Sequence, residues 1–180
     1  MPARGVLFSG GTVTSIGRGP ASAGSFPILA HVRRMAYILV QAVWGFPQTI
    51  AGLLVCAALH GRPHFHYHGA IVTTWDNPKG MALGPFVFLK GSSSSAEARA
   101  SVDGHLLVHE YGHTVQSLLL GPLYLPVIGI PSFIWSNVPA FARKRHEGQL
   151  SYYAFAPERS ANWLGEHVLG EPSVGQAVID

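Results

Sequence analysis

Within His105-Leu106-Leu107-Val108-His109-Glu110-Tyr111-Gly112-His113 the chain carries a His-Glu-x-x-His spacing, and no other stretch restricts its fold so tightly. On a helix, at about 100° per residue, His109 and His113 lie about 40° apart on one face and one turn apart. Two imidazoles so placed can bind one tetrahedral Zn²⁺, with Glu110 beside them to take a proton from a water activated by the metal. Leu107, Val108, Tyr111, Val115, Leu118 and Leu119 fall on the opposite arc, as a core-facing stripe requires. Ser101 and Asp103 are both good N-cap residues, and Gly121-Pro122 stops the helix. With ten His and six Glu in 180 residues, chance would produce the spacing in about 2% of such chains.

The motif resembles that of the zincin metallopeptidases. Metzincins continue with His-x-x-Gly-x-x-His, but Gln116 and Leu119 stand in those places, which excludes that branch. Downstream, Glu158-Arg159-Ser160-Ala161-Asn162-Trp163-Leu164-Gly165 is similar to the Glu-x-x-Ala-Asp-x-x-Gly segment of membrane gluzincins of the prenyl-protease and heat-shock-protease kind. The resemblance implies Glu158 as third zinc ligand, with Glu147, Glu166 and His167 as competitors. It also implies that Asn162 accepts a hydrogen bond from a ligand histidine where the family has an aspartate. Asparagine brings no charge there, so zinc is expected to be held more weakly, and Asn162→Asp to tighten it.

Charged residues make up 12% of the chain against about a quarter in an average soluble domain. Apolar residues make up 48%, and the mean hydropathy is +0.25. That balance points to membrane lipid as a partner. A net charge of +3, spread along the chain, does not support nucleic-acid binding. The single Cys56 excludes an internal disulfide framework.

Three regions follow. Residues 1–34 are rich in Gly, Ser, Ala and Pro, with four arginines and no acidic residue. They read as a flexible basic tail, or as residues ahead of the true start. Residues 35–60 form a hydrophobic segment, almost wholly apolar from Met35 to Leu59, with Gln41, Gln48 and Thr49 as the polar exceptions there. As a helix, Met35–Leu59 would reach about 37 Å, enough to cross a bilayer with a kink at Pro47. The alternative is a helix pair broken at Gly45-Phe46-Pro47 and packed on the rest. Arg33 and Arg34 before this run favour a cytoplasmic N-terminus, leaving the catalytic part on the non-cytoplasmic side.

Residues 61–180 are expected to form the metallopeptidase domain. His64, His66 and His68 alternate with aromatics, which would line up three imidazoles on one face of a strand. Ala70–Trp75 and Met81–Leu89 flank the turn residues Asp76-Asn77-Pro78-Lys79-Gly80, which predicts a β-hairpin. Leu118–Trp135 is apolar but interrupted by Pro122, Pro126 and Pro131, so it is re-entrant or buried rather than a straight span. A crossing there would put His109 and Glu158 on opposite sides of the membrane. Arg143-Lys144-Arg145-His146 reads as a solvated or lipid-facing cluster.

The expected architecture is α+β: a minimal zincin-like domain of metal helix, β-hairpin and second ligand helix, behind an N-terminal transmembrane helix. The expected activity is hydrolysis of peptide or protein substrates, with Zn²⁺ on His109, His113 and Glu158 and Glu110 as general base. His105, His146, Tyr152 and Tyr153 are candidates for stabilising the oxyanion. The alternative is a non-enzymatic membrane protein with a closed, structural zinc site, its fourth ligand His105 or one of the His64–His68 set.

Overall fold

The computed structural model of the chain describes residues 26–175. The tail expected over 1–34 lies outside the described residues except for 26–34, which are already helical. The described residues form seven helices and one four-stranded sheet, a mixed α+β fold.

The long apolar run does not make one helix. It divides into α1 (Phe26–Val43) and α2 (Phe46–Ala58), which meet at 107° across Trp44-Gly45. The polar exceptions explain the bend. Gln41 and Gln48 are fully buried: Gln41 Nε2 donates to the Thr114 carbonyl at 2.9 Å, and Gln48 Nε2 to Ser117 Oγ and the Gly121 carbonyl, each at 2.9 Å. A carboxamide that finds such partners on a neighbouring helix holds its own helix there, and a straight span would leave both side chains in hydrocarbon. Pro47 sits in the first turn of α2, where its missing N–H costs no hydrogen bond. No single helix among the described residues is long and apolar enough to cross a membrane.

Strands β1 (His64–Tyr67), β2 (Ala70–Trp75), β3 (Met81–Leu83) and β4 (Phe86–Lys90) form one sheet in the order β1-β2-β4-β3. The hairpin expected across residues 76–80 does not form. Instead Gly84, at φ 60°, folds the second apolar run on itself as β3–β4, and β4 rather than β3 lies beside β2, parallel to it. The longer and more apolar strand takes the central seat because burial there covers both of its faces. Val87 and Leu89 point to α4 (Gly104–Leu120), into a cluster with Val72, Ala82, Leu107 and Tyr111. Phe86 points the other way and packs at Gly52 of α2. A hairpin does form one step earlier, between β1 and β2, through His68 and Gly69 at positive φ.

Helix α4 starts as expected: the Asp103 carboxylate accepts from the His105 and Leu106 amides at 2.8 and 3.3 Å. Its end is fixed by Gly121, at φ 54°, where a β-carbon would stand 2.3 Å from the Trp44 ring. The proline-interrupted run then turns through 119° into α5 (Ile130–Asn137), so it too is not a straight helix. Short α3 (Ala98–Ser101) precedes α4; α6 (Pro139–Glu147) and α7 (Ala156–Leu169) follow α5.

Candidate metal centre

Helices α4 and α7 touch backbone to backbone. A β-carbon at Gly112 would lie 1.9 Å from the Ala161 carbonyl oxygen, and one at Gly165 would lie 2.2 Å from that of Val108. Only small residues at both crossings allow this approach, and it carries Glu158, in the first turn of α7, to the histidine pair on α4. Pro157 and Glu158 occupy the first turn, and Asn162 follows one turn on along the buried side.

His109 Nε2 and His113 Nε2 converge on Glu158 Oε2 at 3.2 and 3.3 Å. Ligands held tetrahedrally at 2.0–2.1 Å from Zn²⁺ stand about 3.3 Å apart, so the spacing suits one ion shared among the three. All three side chains are buried, and among the described residues they are the group of His, Cys, Asp and Glu able to hold a metal. Glu158 Oε1 is buried with no hydrogen-bond partner, a cost that a cation beside the carboxylate would remove.

The far side of each imidazole fixes its tautomer. His109 Nδ1 lies 2.7 Å from Asn162 Oδ1, and His113 Nδ1 lies 2.7 Å from Gln116 Oε1. Each amide's NH₂ end is already committed. Asn162 Nδ2 donates to the Val174 carbonyl at 2.8 Å; Gln116 Nε2 donates to the Pro157 carbonyl at 2.9 Å and to Ser160 Oγ at 2.8 Å. The amide oxygens therefore face the rings, and both Nδ1 atoms carry the proton. The Nε2 atoms then present lone pairs to a carboxylate, an arrangement that requires a cation, whether proton or metal, between them.

Electrostatics agree. Burial pulls the His113 pKa down, but Glu158 outweighs it, with Glu110 and the Gln116 bond assisting, and holds it up at about 9. Burial pushes the Glu158 carboxyl up, yet the two histidines outweigh that and hold it well below the usual carboxylate range. Glu110 goes the other way: burial dominates and raises its pKa above the usual 4.5. Gly80, just before β3, stands against that carboxylate, where a β-carbon would come within 2.1 Å of Glu110 Oε1.

The other expected residues divide. Tyr153 sets its ring edge-on to His109, 5.0 Å between centroids, and the charges of Glu158 and Glu110 act, after burial, to raise the Tyr152 phenol's pKa. His105 and His146 are exposed; His105 Nδ1 faces the Pro172 carbonyl at 3.1 Å. Glu147 is exposed, Glu166 binds Ser173, and the His167 ring packs on Trp163. None of them joins the ligand group. The basic cluster is not uniformly solvated, contrary to expectation. Arg143 and Lys144 are exposed, but Arg145 is buried, with its guanidinium 5.1 Å from the Trp135 ring and 5.5 Å from that of Tyr152. Gln116 does more than exclude the metzincin branch. Its place three residues after His113, on the same helical face, is the sequence signal that marks it as an orienting partner.

A cavity of about 940 Å³ runs along α7, between Val127, Trp163, Glu166 and Val174. It shares Asn162 with the cluster but none of the three ligands, so it lies beside the metal group rather than over it. No known protein family, curated protein or solved structure matches the chain.

Proposed function

We propose that the protein is a membrane-associated zinc metallopeptidase of the zincin kind, of gluzincin type. The observation that carries this reading is the convergence of His109 Nε2 and His113 Nε2 on Glu158 Oε2, with Glu110 buried on the same helix. Zn²⁺ on these three residues would supply a Lewis acid for the peptide carbonyl and lower the pKa of an attacking water. Glu110 takes the water's proton and delivers it to the leaving amine; burial raises its pKa above the usual 4.5, the direction a group that must accept and then return a proton needs. The Tyr152–Tyr153 turn borders the same space, and these two phenols are the better-placed of the four oxyanion candidates.

Strand β3 is an edge of the sheet and Gly80, just before it, stands against Glu110; an extended peptide would pair at that end of the strand, since the Ala82 carbonyl farther along is buried and accepts from the Tyr124 hydroxyl at 3.0 Å. Three protein ligands leave a tetrahedral ion one position for water, which favours catalysis over a closed structural site. Membrane association rests on the outward apolar residues of the two bent helix pairs, among them Val43 at 80% exposure, Leu54 at 66%, Leu119 at 66% and Phe133 at 67%.

Glu110→Gln tests the reading. Zinc content should stay near one per chain while hydrolysis of a mixed fluorogenic peptide library is lost, because the base is removed and the ligands are spared. A Glu110→Gln protein that cleaves the library as fast as the natural one would overturn the assignment of the base.

A further inference from the structure

After α7 ends at Gly170 the chain doubles back along it. Four contacts hold this return. Tyr67 donates its hydroxyl to Glu171 at 3.0 Å, His105 faces the Pro172 carbonyl, and Glu166 Oε1 accepts from both the Ser173 amide at 3.1 Å and the Ser173 hydroxyl at 2.6 Å. The fourth is the bond from Asn162 Nδ2 to the Val174 carbonyl. That carbonyl can only accept, so it determines which end of the Asn162 amide faces His109. A free carboxamide has no such preference, because a half-turn about its last bond would present NH₂ to the ring.

We propose that the C-terminal return, residues 171–174 clamped by Glu166, is a working part of the metal centre. Through the Val174 carbonyl it positions Asn162, and through Asn162 it orients His109 toward the ion. This rests on the metal-centre reading above and adds an element outside both ligand helices. It also revises the expectation for Asn162→Asp. A carboxylate there would turn its second oxygen toward the Val174 carbonyl, where the amide now donates at 2.8 Å. Two acceptors at that distance repel, so aspartate gains a charge for the histidine but loses the return. Asparagine with the return and aspartate without it are thus two solutions to one problem.

The test uses the full chain in four forms: natural, Glu166→Ala with Ser173→Ala, Asn162→Asp, and all three changes together. Zinc affinity is read by chelator competition, and hydrogen exchange of the amide at position 173, which donates to Glu166, reads the return. Releasing the clamp should speed exchange of the amide at position 173 and weaken zinc about 10-fold, the lower end of what an orienting partner contributes. Asn162→Asp alone should also speed that exchange. With the clamp released, Asn162→Asp should restore zinc affinity to the natural value or above it, since a carboxylate has no wrong end. Unchanged exchange after loss of the clamp, unchanged exchange in Asn162→Asp, or unchanged zinc affinity with the return freed each defeats the proposal. Failure of all four forms to bind zinc defeats the metal centre itself, which the exchange measurements do not depend on.

Discussion

Two stretches of this chain set histidines at regular spacing, and only one of them gathers a group able to hold a metal. On α4, His109 and His113 share a buried face, and the Glu158 carboxylate reaches them from α7. On β1, His64 and His66 are exposed, each already has a partner within the chain, and they do not converge with a third ligand among the described residues. His64 Nδ1 pairs with Thr73 Oγ1 at 2.8 Å, and His66 lies against the Arg34 guanidinium, a cation where a metal would need to come. His68 leaves the strand altogether: at φ 45° it belongs to the turn, and its ring sits edge-on to Tyr67 and Tyr111. Periodicity brings like residues together in both cases. What separates them is a carboxylate from elsewhere in the fold, together with amide partners that fix the ring protons.

The contrast can be broken most severely at a ligand. His113→Ala should reduce bound zinc from about one per chain to near zero by elemental analysis, because two ligands cannot hold the ion. Retention of the metal would mean that the site lies elsewhere, with the β1 histidines the first place to look.

Next in size are the partners behind the rings. Gln116→Ala frees His113 Nδ1 from its acceptor and should weaken zinc about 10–100-fold by chelator competition. An unchanged constant would show that the tautomer needs no enforcement.

The third test is pH. In the metal-free protein His113 holds its proton up to about 9, against 6.5 when unperturbed. A raised histidine pKa adds stability that is fully present below 6.5 and is lost as pH climbs through 9. Glu158, held low, adds stability that is present above its ordinary 4.5 and is lost as pH falls toward its depressed folded value. These two groups together contribute most between about pH 4.5 and 6.5, while Glu110, raised by burial, opposes them as pH climbs above 4.5, so the metal-free protein should melt highest toward the acid end of that window. Zinc requires neutral imidazoles, so its affinity should rise with pH up to about 9, with about one proton released per ion at neutral pH. Calorimetry in two buffers of different ionisation enthalpy measures that proton directly, and a proton count of zero would contradict the electrostatic description.

The smallest effect should come from the other stretch. His64→Ala with His66→Ala should leave zinc content and affinity unchanged. A loss comparable to that of His113→Ala would erase the distinction between helix and strand.

Much of the site is legible in the amino-acid sequence. The His109/His113 spacing, the Asp103 cap, the stop at Gly121 and the placement of Glu158 and Asn162 on one face of α7 are local properties. Each is decided within a few residues by helix geometry, capping chemistry or the special φ of glycine and proline. Gly112 and Gly165 stand in the sequence too, although only the crossing of α4 with α7 shows what their missing side chains permit.

The tertiary structure decided everything that depends on who lies opposite. An apolar run of 25 residues is long enough to span a bilayer, and only the docking of Gln41 and Gln48 onto α4 shows that it bends instead. Turn chemistry at residues 76–80 suggests a hairpin, but strand pairing follows total burial, and that seats β4 beside β2. Arg145 reads as one charge in a solvated run until Trp135 and Tyr152 enclose it. Gln116 and the Val174 carbonyl matter only because of where their partners stand. Local geometry is written along the chain at a range of three or four residues, whereas satisfying a buried polar group depends on neighbours that sequence distance does not reveal.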